Sequence, residues 1–251
     1  SVLSMSAKMA AWARCLKAAA SVGLVNLMQQ LAEISFFAIS LAVFSYFVAK
    51  RKSLSNGGII VALFVGASTF ILGGIVSYIV LLAFYAVAET ATSYSRKKIG
   101  KEHEQRTTSN VIGNSGAALI ALAFGQPIAF FGAMAAALAD TISGEIGLLS
   151  ARKPVLITNL KEVEAGTDGG ITILGLVAGA LAGMLIGAIY YLVSNNPIES
   201  AIVVAAGIVG MVVDSVLGDV FERKGKLNNM QVNFIASMCG AVAAVLMKLM
   251  F

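Results

Sequence analysis

Charge is what this 251-residue chain has least of: only 12% of it is Asp, Glu, Lys or Arg, about half the usual share for a soluble domain. With 58% hydrophobic residues and a mean hydropathy of +0.87, the chain is not a soluble globular domain. Two cysteines, Cys15 and Cys239, give neither a disulfide framework nor metal-ligand spacing, and read as inert membrane thiols. The single histidine, His103, sits between Glu102 and Glu104 and reads as a solvated loop residue rather than a base. No Walker-type GK[ST] and no kinase-type glycine loop occur, so any use of nucleotide follows another plan. No cleavable signal peptide is evident. The net charge of +5 is no argument for a nucleic-acid partner; its placement bears on topology instead.

What is present is a series of apolar windows separated by short polar loops, the pattern of a polytopic all-α membrane protein. Spans are expected at about 33–49, 57–72, 75–93, 110–125, 128–149, 171–192, 200–220 and 231–250, about eight in all. Gly73-Gly74 interrupts an apolar run about twice as long as the hydrocarbon needs, so a helical hairpin is expected there. Residues 1–32, with Lys8, Arg14 and Lys17 ahead of "AAASVGLVNLMQQLA", read as an amphipathic interfacial segment, or else a weak extra span, preceding a membrane-embedded domain at 33–251. The abundant glycine, 25 residues against 3 prolines, suits close helix packing in lipid.

Basic residues fall in four clusters: Lys50, Arg51 and Lys52; Arg96, Lys97, Lys98, Lys101 and Arg106; Arg152, Lys153 and Lys161; Arg223, Lys224 and Lys226. With a hairpin at Gly73-Gly74 all four lie on one side. The opposite turns, "GG", "GQP" and "SNNPIES", hold no Lys or Arg, so the charged side is expected to be cytoplasmic.

Six of the thirteen acids fall inside or at the ends of the spans: Glu33, Glu89, Asp140, Glu145, Asp214 and Asp219. Acids at membrane depth are costly and usually face a protein interior. Glu33 can reach the interface; Asp140, Glu145 and Asp214 bring polar or small neighbours. Helical spacing aligns Glu89, Ser93 and Lys97; Arg106, Asn110 and Asn114; Thr141 and Glu145; Ser215 and Asp219; Asn229, Asn233 and Ser237. Asp140 and Glu145 are turned about 140° apart on an ideal helix, and Gly144 would permit a break that unites them. The stripes converge on the basic loops, which predicts one polar cavity at the charged end. Acids, amides and basic residues together suit a phosphorylated, metal-bound ligand better than a bare cation. The stretch "GTDGG", Gly166 to Gly170, precedes "ITILGLVAG" and is expected to open a helix, as a phosphate-attracting turn or a simple cap.

The ordered motifs "RTTSNVIGNSGAAL", "DTISGEIG", "GTDGGITILGLVAG", "DSVLGD" and "LNNMQVNF", with "KRKSLSNGGIIVALFVG" before them, resemble the integral membrane family that includes transmembrane protein 19 and plant phytyl-phosphate kinase. The similarity covers most of residues 33–250. It implies an isoprenoid-phosphate kinase that moves a terminal phosphoryl group from a nucleoside triphosphate, CTP by analogy with related membrane kinases, to a prenyl or phytyl monophosphate. On that reading Asp140, Glu145 and Asp214 are candidate Mg²⁺ ligands. Lys97, Arg106 and Lys161 are candidate phosphate clamps. Asn110, Asn114 and Asn233 would hold base, ribose or phosphate; Thr167, Asp168 and Gly169 would shape a phosphate-binding turn. The lipid tail would lie between helices among membrane lipids. Two rivals use similar parts: a transporter or flippase for an anionic lipid or ion, and a cytidylyltransferase forming a CDP-lipid.

Overall fold

The computed structural model describes residues 2–101 and 105–251, and residues 2–22 by their backbone alone. The readings of His103 and of the Lys8, Arg14, Cys15 and Lys17 side chains lie outside the described residues. Among the described residues seven α-helices follow in order: α1 (Val2–Arg51), α2 (Asn56–Lys98), α3 (Thr108–Ala123), α4 (Pro127–Gly147), α5 (Ile173–Ser194), α6 (Pro197–Val220) and α7 (Asn229–Met250). Two short strands, β1 (Val155–Leu156) and β2 (Gly170–Ile171), pair antiparallel between α4 and α5. The protein is a polytopic all-α membrane protein. Among the described residues six helical stretches are long and apolar enough to cross a bilayer, with α2 counted once and the 16-residue α3 not counted.

The chain divides into two compact units, 1–47 and 48–251. In the first, α1 is continuous, the exposed side chains over 23–47 are largely apolar, and Glu33 accepts a hydrogen bond from Gln29 one turn earlier at 3.1 Å.

The second unit contains everything else. Its 43-residue α2 is not one rod: Gly74 has φ +70° and ψ −170°, outside the helical region and suited to glycine. The two arms fold back on each other. Ser53 Oγ lies 2.5 Å from the Tyr85 hydroxyl, 32 residues on, where a straight helix would separate them by about 48 Å. The hairpin expected at Gly73-Gly74 is therefore present. It brings the basic residues at 50–52 and 96–98 to the same end, where Ser53–Ser55 pairs with Arg106: Arg106 N donates to Ser53 O at 2.9 Å and Ser55 N to Arg106 O at 3.0 Å.

Helix α4 is the central post. Along Ile128–Ala139 every side is buried, with Phe130, Met134 and Leu138 in the core. Such closeness needs small residues on the neighbours. A Cβ on Gly210 of α6 would lie 2.2 Å from the Ala136 Cβ, and one on Gly240 of α7 would lie 2.6 Å from it. In lipid, where tails are as apolar as leucine, this contact of small residues is what holds helices together. Gly210→Ala is expected to destabilise by ~1–3 kcal/mol through overpacking. Alanine's better helix propensity returns only about 1 kcal/mol, so the thermal midpoint in detergent should fall; a rise would mean the helices can separate freely.

Candidate phosphate-binding site

Asp140 and Asp214 meet because of that packing. Helices α4 and α6 run parallel toward the charged end and touch at Ala136 and Gly210. One turn further along each helix stands an aspartate, so Asp140 and Asp214 face each other, close enough for each carboxyl to act on the other. The Oδ2 of Asp214 is buried and has no hydrogen-bond partner among the described residues. Asp168 and Glu222 lie near enough to add their negative charge to the pair's surroundings.

The pair lines a cavity of about 870 Å³ at the charged end of the bundle. The same cavity is lined by Arg96, Arg106, Asn110, Asn114, Asn229 and Asn233. The amides are linked: Asn110 and Asn233 each donate to the Asn229 Oδ1 at 3.4 Å. Asn110 also closes the N-terminal capping box of α3, its Oδ1 accepting from Thr107 N at 2.8 Å. The cavity thus holds the Asp140–Asp214 pair together with guanidinium groups and amides, with Glu145 beside Arg96.

Of the residues expected from sequence, Arg106, Asn110, Asn114, Asp140, Glu145, Thr167, Asp168, Gly169, Asp214 and Asn233 all line this cavity. Lys97 and Lys161 do not; both are exposed. The inward face of α2 is instead Tyr85, Glu89, Thr92 and Arg96. Residues 89 and 96 lie seven apart, about 20° short of two full turns, whereas 89 and 97 diverge by about 80°. Helix α4 is regular through Gly144, so Glu145 does not swing toward Asp140. It accepts a hydrogen bond from Ser95 and lies 3.9 Å from Arg96 Nε. Arg106 is extended backbone rather than the start of α3; its Nη2 donates to Thr92 at 3.1 Å and its Nε lies 4.0 Å from Glu89. Burial lowers the pKa of the Arg106 guanidinium, and Glu89 and Glu145 work against that shift.

The "GTDGG" stretch does not open α5. Thr172 is the N-cap, accepting from Gly175 N at 3.0 Å, and Gly170–Ile171 forms β2. The turn presses backbone to backbone against α6 at Gly218 and Asp219. Asp219 fastens the loop: Thr158 donates its hydroxyl at 2.5 Å and its N–H at 3.3 Å, and Arg223 donates at 2.6 Å. Sequence reasoning gave no site role to Arg96 or Glu222, and named Asn229 only as part of the stripe it shares with Asn233 and Ser237. The spacing of Arg96 from Glu89 could have found the first; the other two depend on how the chain turns after α6.

A divalent cation fits the Asp140–Asp214 pair. Among the described residues no cationic side chain pairs with these two facing carboxyls, one with an orphaned buried oxygen, whereas Glu145, Glu89 and Asp219 each have an arginine. Among the described residues no three acids, histidines or cysteines converge as a complete metal cage. Mg²⁺ habitually takes one or two carboxylates and fills its shell with water and phosphate oxygens, so a pair suffices.

The family model described as integral membrane protein DUF92 matches residues 38–241. The uncharacterized membrane protein MJ0933 of Methanocaldococcus jannaschii is 36% identical over 234 residues, covering 88% of this chain and 97% of that protein. Protein VTE6, chloroplastic, of Arabidopsis thaliana is 28% identical over 217 residues, 78% of this chain and 65% of its own length. Protein PGR of Arabidopsis thaliana is 35% identical over 98 residues, 34% of each chain. No solved structure matches the chain significantly.

Proposed function

The chain belongs to the integral membrane family DUF92, and from that premise we propose that it is a membrane-embedded prenyl or phytyl monophosphate kinase using a nucleoside triphosphate, CTP in the fullest form of the proposal. The family resemblance read from the motifs supplies the reaction class. The carrying observation is the mixed lining of one cavity: the carboxyl pair Asp140 and Asp214 shares that space with Arg96 and Arg106.

Phosphoryl transfer asks for positioning and charge neutralisation rather than covalent help. A phosphate oxygen of the lipid monophosphate attacks the terminal phosphorus of the nucleotide. The bond from that phosphorus to the bridging oxygen breaks, leaving a nucleoside diphosphate and a prenyl diphosphate. The nucleophile is already an anion, so no strong base is required. Asp140 and Asp214 would hold Mg²⁺, which when bound offsets the charge of the polyphosphate. Arg96 and Arg106 attract phosphate oxygens. Asn110, Asn114 and Asn233 offer amide donors and acceptors to ribose, base or phosphate. The turn at Thr167–Gly169 closes the cavity on the α6 side. By the positive-inside rule this end faces the cytoplasm, where nucleotide is available.

The packed core of α4 beneath the cavity, Phe130, Met134 and Leu138, speaks against a continuous pore. Purified protein incubated with labelled CTP, Mg²⁺ and geranylgeranyl or phytyl phosphate tests the proposal. Prenyl diphosphate plus CDP is the expected outcome. CDP-lipid with pyrophosphate would make the protein a cytidylyltransferase, and no turnover with either would favour transport.

A further inference from the structure

We propose that Arg96 and Arg106 form a metal-independent subsite for the phosphate monoester of the lipid, separate from the Asp140–Asp214 pair that serves the nucleotide. The proposal rests on the kinase reading for the naming of the two substrates, but not for the existence of the subsite.

Two ways of holding an arginine are visible in this chain. Arg223 meets its carboxylate closely: its Nη1 donates to Asp219 at 2.6 Å. Arg96 and Arg106 do not. Their nearest carboxylates stand off at 3.9 and 4.0 Å, and the Nε of each is buried without a hydrogen-bond partner among the described residues. A buried guanidinium held for structure alone normally makes short, paired bonds. Here charge is balanced by Glu145 and Glu89 while donors are left over, and both side chains line the same cavity. Glu145 is meanwhile held by Ser95 and so stays in place when the guanidinium turns. The arrangement is a pair of cations restrained by nearby acids and ready to accept a tetrahedral oxyanion.

Chemistry assigns the occupant. A triphosphate chelates a divalent ion and so suits the carboxyl pair. A monophosphate chelates poorly and needs direct cationic donors.

The test is equilibrium binding of labelled geranylgeranyl monophosphate to the full chain in nanodiscs, with EDTA and no nucleotide. Wild type should bind without metal. Arg96→Gln should weaken binding about 10–100-fold, the loss expected for a charged hydrogen-bond partner. Glu145→Gln removes the competing anion and should tighten binding several-fold, a gain that a purely structural ion pair would not give. Binding that needs Mg²⁺, or a Glu145→Gln protein that binds no tighter while remaining folded by thermal melt, would overturn the subsite. Displacement by inorganic phosphate at equal concentration would overturn its assignment to the lipid. Turnover is read separately: metal-free binding that depends on Arg96 without any kinase activity keeps the subsite and rejects the kinase reading.

Discussion

Asp214→Asn is expected to abolish most turnover and, at the same time, to stabilise the metal-free protein. The first effect follows from losing half of the carboxyl pair, for which a drop in kcat on the order of 10²–10³ is typical of one preorganised electrostatic group. The second follows from geometry. Asp140 and Asp214 face each other, and among the described residues no basic side chain pairs with either and Asp214 Oδ2 is orphaned. Two unit charges at 4 Å repel by about 4 kcal/mol at an effective dielectric of 20, and water in the cavity reduces that further. An amide at position 214 removes the repulsion and can donate to Asp140. A rise of about 1 kcal/mol, or ~2–4 °C in the melting midpoint, is expected in EDTA. Added Mg²⁺ should stabilise wild type and leave Asp214→Asn unmoved, since a ligand stabilises only a state that binds it. A variant that is less stable in EDTA, or that still responds to Mg²⁺, would show that the pair is held together by something other than a cation.

Much of this architecture could be read from the chain because membranes impose strong local rules. The hairpin at Gly74 was legible from run length and glycine, and its consequence, basic clusters gathered at one end, from charge placement. Asp140 and Asp214 were legible as buried acids, although not as a facing pair. Their meeting depends on Ala136 touching Gly210, a contact between two helices that no periodicity in either can specify. The side chain that a buried acid chooses is likewise a tertiary matter. Glu145 has the same composition-level signature as Asp140, yet a regular helix turns it about 140° away toward Ser95 and Arg96. Lys97 and Arg96 differ by one residue, and phase on α2 decides which enters the cavity. The loop of 148–172 was least legible, because its shape is fixed by bonds to Asp219 on a helix some sixty residues downstream.

That loop carries the second large effect. Gly169→Ala should eliminate activity while leaving the helical bundle intact. Gly169 has φ +74°, which costs an L-residue of order 1 kcal/mol or more. Space is the larger obstacle: an added Cβ would stand 2.3 Å from the backbone N of Asp219 and 2.4 Å from its Cβ. Neither the loop backbone nor α6 can give way as a flexible side-chain tip would, because Gly218 is pressed against the same turn, its own Cβ position 2.7 Å from Gly169 N. The loop must therefore lift off α6. Lifting it pulls Thr158 from Asp219 and carries Thr167 and Asp168 away from the carboxyl pair. Limited proteolysis should cut the variant within 148–172 far faster than wild type, with the membrane-embedded helices protected and circular dichroism unchanged. Gly166→Ala is the matched control: its φ of +89° is just as unfavourable, but the nearest atom to an added Cβ is a leucine methyl at 3.8 Å, so the strain comes without the collision. Equal loss of activity in both would assign the effect to backbone strain; loss confined to Gly169→Ala ties catalysis to the seating of this turn on α6.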